Sequence, residues 1–336
     1  MNLSKNTTTW VAAGLCWAAP FIGPRIIRHD HADKCPVTAR AARTLALSAQ
    51  TATISISGAF ALYPLTVKWA SEFRKIHPEI KIDISAGGAG KGITDVLSGI
   101  TDIGLVSRDL TPEEGKKGAF PIAVTKDAVI PTISASSPFL KELQTRGVKK
   151  DALNRIFITG QITSWGQLGI KTNAPVHVYT RSDAAGAAET WAGYFGKKQE
   201  DLQGVAVYGD PGLALAVKKD PAGIGFNNIV YVYDAQTKQP TNGVIPLPID
   251  LNNNGRIDAD ENIYGTIEAI TQAIAAGKYP SPPARDLYFV TKGGIRNQSV
   301  KTFIQWVLTE GQQYVKEAGY INLSPEKINA GLKKLK

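Results

Sequence analysis

The sequence predicts an α/β protein of two lobes. Three observations carry that expectation. The chain has 336 residues, too long for one ordinary domain of ~100–150 residues and suited to two. Its apolar residues switch repeatedly between alternate spacing and spacings of three and four. The strand-like and helix-like stretches take turns along the chain, which implies a parallel sheet with helices packed on its faces.

The elements follow in order. Ile54 and Ile56 alternate with serines and predict a strand. Leu62, Leu65, Trp69, Phe73 and Ile76 then mark one face of a helix, with Pro64 in its first turn, where a missing N–H costs nothing. Ile80, Ile82 and Ile84 predict a second strand. The glycine-rich residues 87–92 lead into a helix with Ile93, Val96, Leu97 and Ile100 on one side. Residues 103–106 predict a third strand. Later, residues 176–179 predict a strand, 183–195 a helix, 224–233 strand-like runs, and 303–318 a C-terminal helix. Neither an internal repeat nor a low-complexity segment is present.

Composition narrows the class. Hydrophobic residues make up 43% and charged residues 20%, with 32 Gly and 19 Pro. These are globular proportions, which exclude a disordered chain, a collagen or a coiled coil. The formal net charge is +9, mild enough to suit an anionic ligand. No Lys/Arg cluster interleaved with aromatics marks a nucleic-acid surface. Both cysteines, Cys16 and Cys35, precede residue 36, so the body has neither disulfides nor cysteine metal sites. Residues 1–49 differ in texture, with Lys5 ahead of an apolar stretch at 10–22 and a second at 44–49. They read as an export signal or as a leader from a misassigned start. His29, Asp30, His31 and Cys35 read either as a metal cluster or as a chance polar run.

Three loops each join a strand to a helix start: residues 57–62, 87–92 and 181–188. A helix N-terminus exposes unpaired N–H groups and a positive dipole end, and small residues let a ligand approach. Gly92 stands where a nucleotide P-loop needs Ser or Thr after Lys91, so that reading fails. Arg181 opens the third loop and offers a guanidinium fork for an oxyanion. Asp102, ahead of the third strand, would accept the O–H of monohydrogen phosphate and repel a fully ionised sulfate. The alternative makes both residues members of surface ion pairs.

These residues resemble a family, the periplasmic phosphate-binding proteins of high-affinity ABC phosphate importers. The likeness runs from about Ser55 to Pro325. Tyr63-Pro64-Leu65 with Trp69, the loop 87–92, and Asp102-Ile103-Gly104 followed by Ser107-Arg108 resemble its first lobe. Ile156-Phe157, Thr159-Gly160, Ile162-Thr163, Trp165, Arg181-Ser182-Asp183 and Gly223-Ile224-Gly225-Phe226 resemble its second. Leu287-Tyr288 with Thr291-Lys292-Gly293 also matches. The resemblance implies a two-lobed periplasmic-binding-protein fold of class II with a ligand cleft between the lobes. It implies hinge closure on inorganic phosphate or another oxyanion, docking on an ABC-transporter permease, a periplasmic or cell-surface location, and a monomer. Residues 50–122 with 250–336 are expected to form one lobe and 123–249 the other, crossing near 120–125 and 240–250.

By the same resemblance, the ligand shell falls on Ala59, Phe60, Ala61, Ala89, Gly90, Asp102, Ser107, Arg181, Ala185, Gly186 and Ala187. The family usually places Ser or Thr hydroxyls in these loops, where this chain has alanines. Each hydrogen bond lost to a charged ligand is worth roughly 1.5–3 kcal/mol. The expected consequence is a changed ligand, a changed affinity, or a cell-surface interaction protein that no longer binds an anion. Ser107, Ser182 and Arg108 are the nearby groups able to compensate.

A second site is legible without any family. Residues 250–261 follow the twelve-residue calcium loop: Asp250, Asn252, Asn254 and Asp258 at positions 1, 3, 5 and 9, Gly255 at 6, Arg256 supplying a carbonyl, and Glu261 at 12. Ile257 at position 8 is expected to pack inward, and residues 264–276 to form an exiting helix. Calcium is therefore an expected structural ion, clamping a connection between lobes. Catalysis has no support: four His show no H-E-x-x-H pattern, G-x-S-x-G is absent, and Glu113-Glu114 suit the first turn of a capped helix.

Overall fold

The computed structural model describes residues 52–241 and 243–336. The leader readings, including Cys16 and the His29–Cys35 cluster, lie outside the described residues. The chain opens with β1 (Ala52–Gly58), α1 (Tyr63–Ile76), β2 (Ile80–Ala86), α2 (Ala89–Ser98) and β3 (Ile103–Val106). Pro64 does stand in the first turn of α1, which buries Leu65, Trp69 and Phe73 and closes with Arg74 and Lys75 against its negative dipole end. α2 begins earlier than the apolar pattern predicts, at Ala89, because Gly88 (φ 88°) turns the chain into it. It ends at Gly99 in the left-handed conformation, which leaves Ile100 beyond the helix and exposed.

Next come α3 (Pro112–Lys116), β4 (Ala119–Ser134), α4 (Leu140–Arg146), β5 (Val148–Lys149) and α5 (Lys150–Phe157). Thr111 and Glu114 cap α3 reciprocally. The second half of the chain holds β6 (His177–Arg181), α6 (Gly186–Tyr194), β7 (Val205–Val207), α7 (Gly209–Lys219), β8 (Gly223–Asn228), α8 (Ile229–Val232), β9 (Val244–Pro246) and β10 (Ile249–Asp250). α9 (Ile267–Ala275), β11 (Ala284–Lys292), α10 (Gln298–Leu308) and α11 (Pro325–Lys333) complete it. The expected helix over 303–318 is instead α10 followed by a 3-10 turn at Glu310–Tyr314, and the run at 224–233 is a strand passing into one helical turn.

The main sheet runs in the order β2-β1-β3-β11-β4-β8-β6-β7, with β9 on β4. β1 pairs in parallel with β2 and β3, and β6 with β7 and β8. β11 is antiparallel to β3 and β4, and β4 to β8. The sheet is therefore mixed, with the parallel pairs at its two ends as the alternation predicts.

Two hydrophobic cores flank the crossing. One joins residues from Ile54 to Val124 with Leu287 to Leu335; the other runs from Ala128 to Ala284 with Ile321. Both crossings lie on β4 and β11, paired from Ala119 opposite Lys292 to Ala128 opposite Ala284. The expected return near 240–250 is thus corrected. Residues 249–284 stay with the second lobe, where β10 pairs with β5, Tyr233 Oη donates to the Tyr264 carbonyl (2.8 Å) and Tyr279 Oη to that of Val129 (2.7 Å).

Candidate functional site

In open parallel sheets, ligands bind beyond the carboxyl ends of the strands. Here the loops after β1, β2 and β3 meet the loops after β6 and β7. The first loop is a tight turn in which Leu62 and Tyr63 N–H donate back to the Ala59 carbonyl (3.1 and 3.2 Å), while Ala59 N–H reaches Leu105 O (2.9 Å). Ala59 and Ala61 are buried, and Tyr320 Oη holds the Ala61 carbonyl at 2.7 Å. Phe60 projects to the other lobe. Its ring lies edge-on to Tyr208, and the Arg181 guanidinium sits 5.6 Å from its centroid. Tyr231 Oη donates to the Phe60 carbonyl at 3.1 Å.

The second and third loops also touch across the cleft. Gly90 N–H donates to Ala184 O at 3.0 Å, beside buried Ala89. A Cβ on Gly88 would lie 2.7 Å from Asp183 Oδ2, and one on Gly90 2.5 Å from the Ala184 Cβ. Buried Ser107, just past β3, packs on Gly186 so tightly that a Cβ there would fall 2.2 Å from Ser107 Oγ. The lobes are closed. Ala185 and Ala187 are buried at the start of α6, where Gln199 braces the loop by accepting from Ala185 N–H (3.0 Å) and donating to Asp183 O (2.6 Å).

Arg181 is the buried cation of this junction. Its Nε and Nη2 donate to the two oxygens of Asp183 (2.9 and 2.6 Å), and Nη1 donates to Asp210 Oδ2 (2.6 Å). Burial alone would lower its pKa, but Asp210 and Asp183 outweigh that and raise it. Asp210, on the first turn of α7, has its pKa raised by burial, against the pull of Arg181. Asn228 amide N–H bonds Asp210 as well, and its carbonyl oxygen takes a bond from Arg285, whose Nη1 also donates to Gly186 O (3.1 Å). Arg285 stands opposite Asp127 on the crossing strands. Asp127 is fully buried, its closest cation is Arg285 Nη2 at 3.8 Å, and neither oxygen makes a hydrogen bond of good geometry. Burial pushes its carboxyl up to about 7, with Arg285 opposing.

Sequence reasoning brought together Ala59, Phe60, Ala61, Ala89, Gly90, Ser107, Arg181, Ala185, Gly186 and Ala187, and the structure places all of them at this junction. Asp102 is a correction. It precedes β3 at the amino end of the sheet, about 16 Å of strand from Ser107. There its Oδ2 accepts from Ser55 N–H (2.8 Å) and Oγ (2.7 Å), fastening β1 to β3. Ser182 is exposed. Arg108 is engaged by both oxygens of Glu114 (2.7 and 2.9 Å). It lines a cavity of about 780 Å³ beside the junction, together with Lys126, Glu189, Lys198, Arg285 and Lys327. Asp210, Asn228 and Arg285 were missed. The one signal for Arg285 was a charge at the head of an apolar strand.

The twelve-residue loop lies apart from this cleft, in the second lobe, and is not a clamp between lobes. Asp250 Oδ1 and Oδ2 accept from Asn254 and Gly255 N–H (3.2 and 2.9 Å), and Gly255 has φ 84°. Asn252 and Asn254 oxygens accept from the N–H two residues on (both 3.0 Å), while their amide nitrogens meet Asp258 Oδ2 (2.9 and 2.6 Å). Glu261 folds back to accept from Leu251, Asn252 and Asp258 N–H (2.8, 3.0 and 3.2 Å). Ile257 does pack inward, against Gly147, with its N–H on Thr145 O (2.9 Å). Among the described residues, no three His, Cys, Asp or Glu side chains cluster as a metal site by themselves.

A family model described as a PBP superfamily domain matches residues 44–310. The "Phosphate-binding protein PstS" of Bacillus subtilis is 26% identical over 277 residues, 82% of each chain. The protein of that name from Methanocaldococcus jannaschii is 25% identical over 324 residues, covering 79% of this chain and 81% of that one. Among solved structures, a putative phosphate ABC transporter substrate-binding protein with bound phosphate from Clostridium perfringens superposes with TM-score 0.67 at 25% identity, over 81% of this chain and 100% of that chain. An ABC-type phosphate transport receptor from Vibrio cholerae gives TM-score 0.59 at 19% identity, over 80% and 100%, and speaks for the fold alone.

Proposed function

The chain belongs to the PBP superfamily, and from that premise we propose that it captures inorganic phosphate, or a related tetrahedral oxyanion, between its lobes for an ABC permease. The observation that carries the reading is Arg181. It is a buried guanidinium at the carboxyl end of β6, facing the loops after β1, β2 and β3 and flanked by the first turn of α6. The curated relatives, named as phosphate-binding proteins across four-fifths of the chain, agree with it.

The chemistry would proceed by closure. An oxyanion entering the opened cleft meets the first-turn amides of α6 and α2, which point positive dipole ends at it. Arg181 holds N–H groups beyond those bound to Asp183 and Asp210, and those two carboxylates keep it rigid. Ser107 O–H lies against Gly186 in the third loop. Closing then brings Gly88 and Gly90 onto residues 183–184 and Phe60 onto Tyr208, as the contacts in this conformation do. Binding, not turnover, is the task the relatives' names describe. Export to the periplasm or cell surface, action as a monomer and docking on the permease belong to the same proposal. Among the described residues, no helix is long and apolar enough to cross a membrane.

A specific observation favours a second reading. Ala59, Ala61, Ala89, Ala185 and Ala187 bring no hydroxyls, two carboxylates already occupy Arg181, and Ser107 rests directly on Gly186. On that reading, the chain is a cell-surface interaction protein that has lost its anion. Calorimetry in phosphate-free buffer separates the two. Saturable heat with Kd near or below about 1 μM, a free energy of about −8 kcal/mol, is the expected outcome, with phosphate preferred over sulfate. Absence of heat at about 1 mM phosphate overturns it in favour of the second reading.

A further inference from the structure

We propose that residues 250–261 bind one calcium ion that fastens the second lobe, independently of any ligand in the cleft. The spacing supplies oxygen donors at positions 1, 3, 5, 9 and 12 and a carbonyl at Arg256, the pattern of a hard-cation loop. Burial supplies the second, independent argument. Asp250 is 1% exposed and Glu261 5% exposed. Among the described residues neither carboxylate takes part in an ion pair; Arg256 turns instead to Asp258 (2.8 Å). Backbone N–H groups satisfy both carboxylates, two on Asp250 and three on Glu261, but no opposing charge meets either, and a bound cation would supply it.

The donor set selects the ion. It holds no sulfur and no imidazole, which disfavours zinc. It is an all-protein oxygen set of six or more donors on a bending loop, which suits calcium rather than a strictly octahedral magnesium ion. The amides of Asn252 and Asn254 now point nitrogen at Asp258 Oδ2. A bound cation would take Asp258 and the amide oxygens together, leaving those nitrogens to solvent. Its effect would reach the fold through two attachments. Asp250 ends β10, which pairs with β5, and Ile257 plugs the space beside Gly147 at the end of α4. The ion would therefore hold β10, β5 and α4 to the loop that leads into α9.

The test uses the full chain stripped with chelator. Calcium should titrate to one equivalent with Kd between about 10⁻⁶ and 10⁻³ M. At a hundredfold excess over Kd it should raise Tm by about 5 °C, with magnesium doing much less. Glu261→Gln should weaken binding at least tenfold and abolish the shift. If that variant does not fold, Asp258→Asn on the half-exposed side serves in its place. The proposal is overturned if wild-type protein shows no calcium heat and no Tm shift up to about 10 mM. It is equally overturned if magnesium matches calcium, or if the folded variant responds as wild type does. Phosphate affinity measured in the same samples should not depend on calcium, which separates this outcome from failure of the cleft reading.

Discussion

Arg181 shows how one residue joins folding to binding. Three of its N–H bonds run to carboxylates that are themselves nearly buried. Arg181→Ala would strand both, so a loss of about 3–5 kcal/mol is expected in urea unfolding, together with loss of phosphate heat. Arg181→Lys would keep the charge and lose the fork, so stability should fall less than affinity. Asp127 makes a pH prediction. Its folded pKa is raised from 3.8 to about 7, so the folded state holds a proton that the unfolded state has released. The group therefore opposes folding increasingly as pH rises through that window, and the effect levels off above it. Asp127→Asn should gain stability relative to wild type by about 1–4 kcal/mol between pH 4 and 7, read from paired denaturation curves. If the difference stays flat across that range, the carboxyl titrates normally. Arg181 was legible in the sequence because a strand end followed by small residues frames it. Asp102 misled because an Asp beside a strand reads alike at either end, and only the direction of the sheet decides which end faces the ligand.

At the scale of elements, the strand–helix alternation at the start of the chain was readable because each helix carries its apolar stripe on one side. The pattern failed where apolarity no longer reports conformation. Ile229 to Val232 looks like continuing strand, yet forms a helical turn buried on Ile229 and Val232. α11 fully buries only Gly331 and lays just Ile328 and Leu332 on the first core, a stripe too short to stand out, although Ser324 and Pro325 announce its start. The α6 start yields a prediction about closure. Gly186→Val would drive a side chain into Ser107, a contact between lobes and not within one. The lobes can relieve the clash by parting, so the variant should fold with Tm within a few degrees of wild type, about 5 °C. It should bind phosphate at least tenfold more weakly. Small-angle scattering should report a larger radius of gyration that phosphate no longer reduces. A variant that closes normally would show that the loops yield and the lobes do not need to.

For the whole molecule, length and alternation made two lobes legible, but not where the chain returns between them. The return was expected near 240–250, yet Ile263, Ile267, Ile270 and Ile274 bury against the second core, and the return waits for β11. Nothing local in those residues names the core they join, because partner choice is a long-range property. The crossing also accounts for the charged residues that pattern reading overlooked. Asp127 and Arg285 face each other on the two strands that, among the described residues, both cores share.

That interleaving sets an order of assembly. The second core is built from one unbroken stretch, apart from Ile321, whereas the first needs residues from both ends of the chain. A chain emerging from its amino end can complete the second lobe while β3 still lacks the neighbour that β11 will become. Pulsed hydrogen exchange during refolding should protect amides of β6 and β8 before those of β1 and β3. Simultaneous protection would mean instead that the shared ribbon of β4 and β11 locks both halves into one transition.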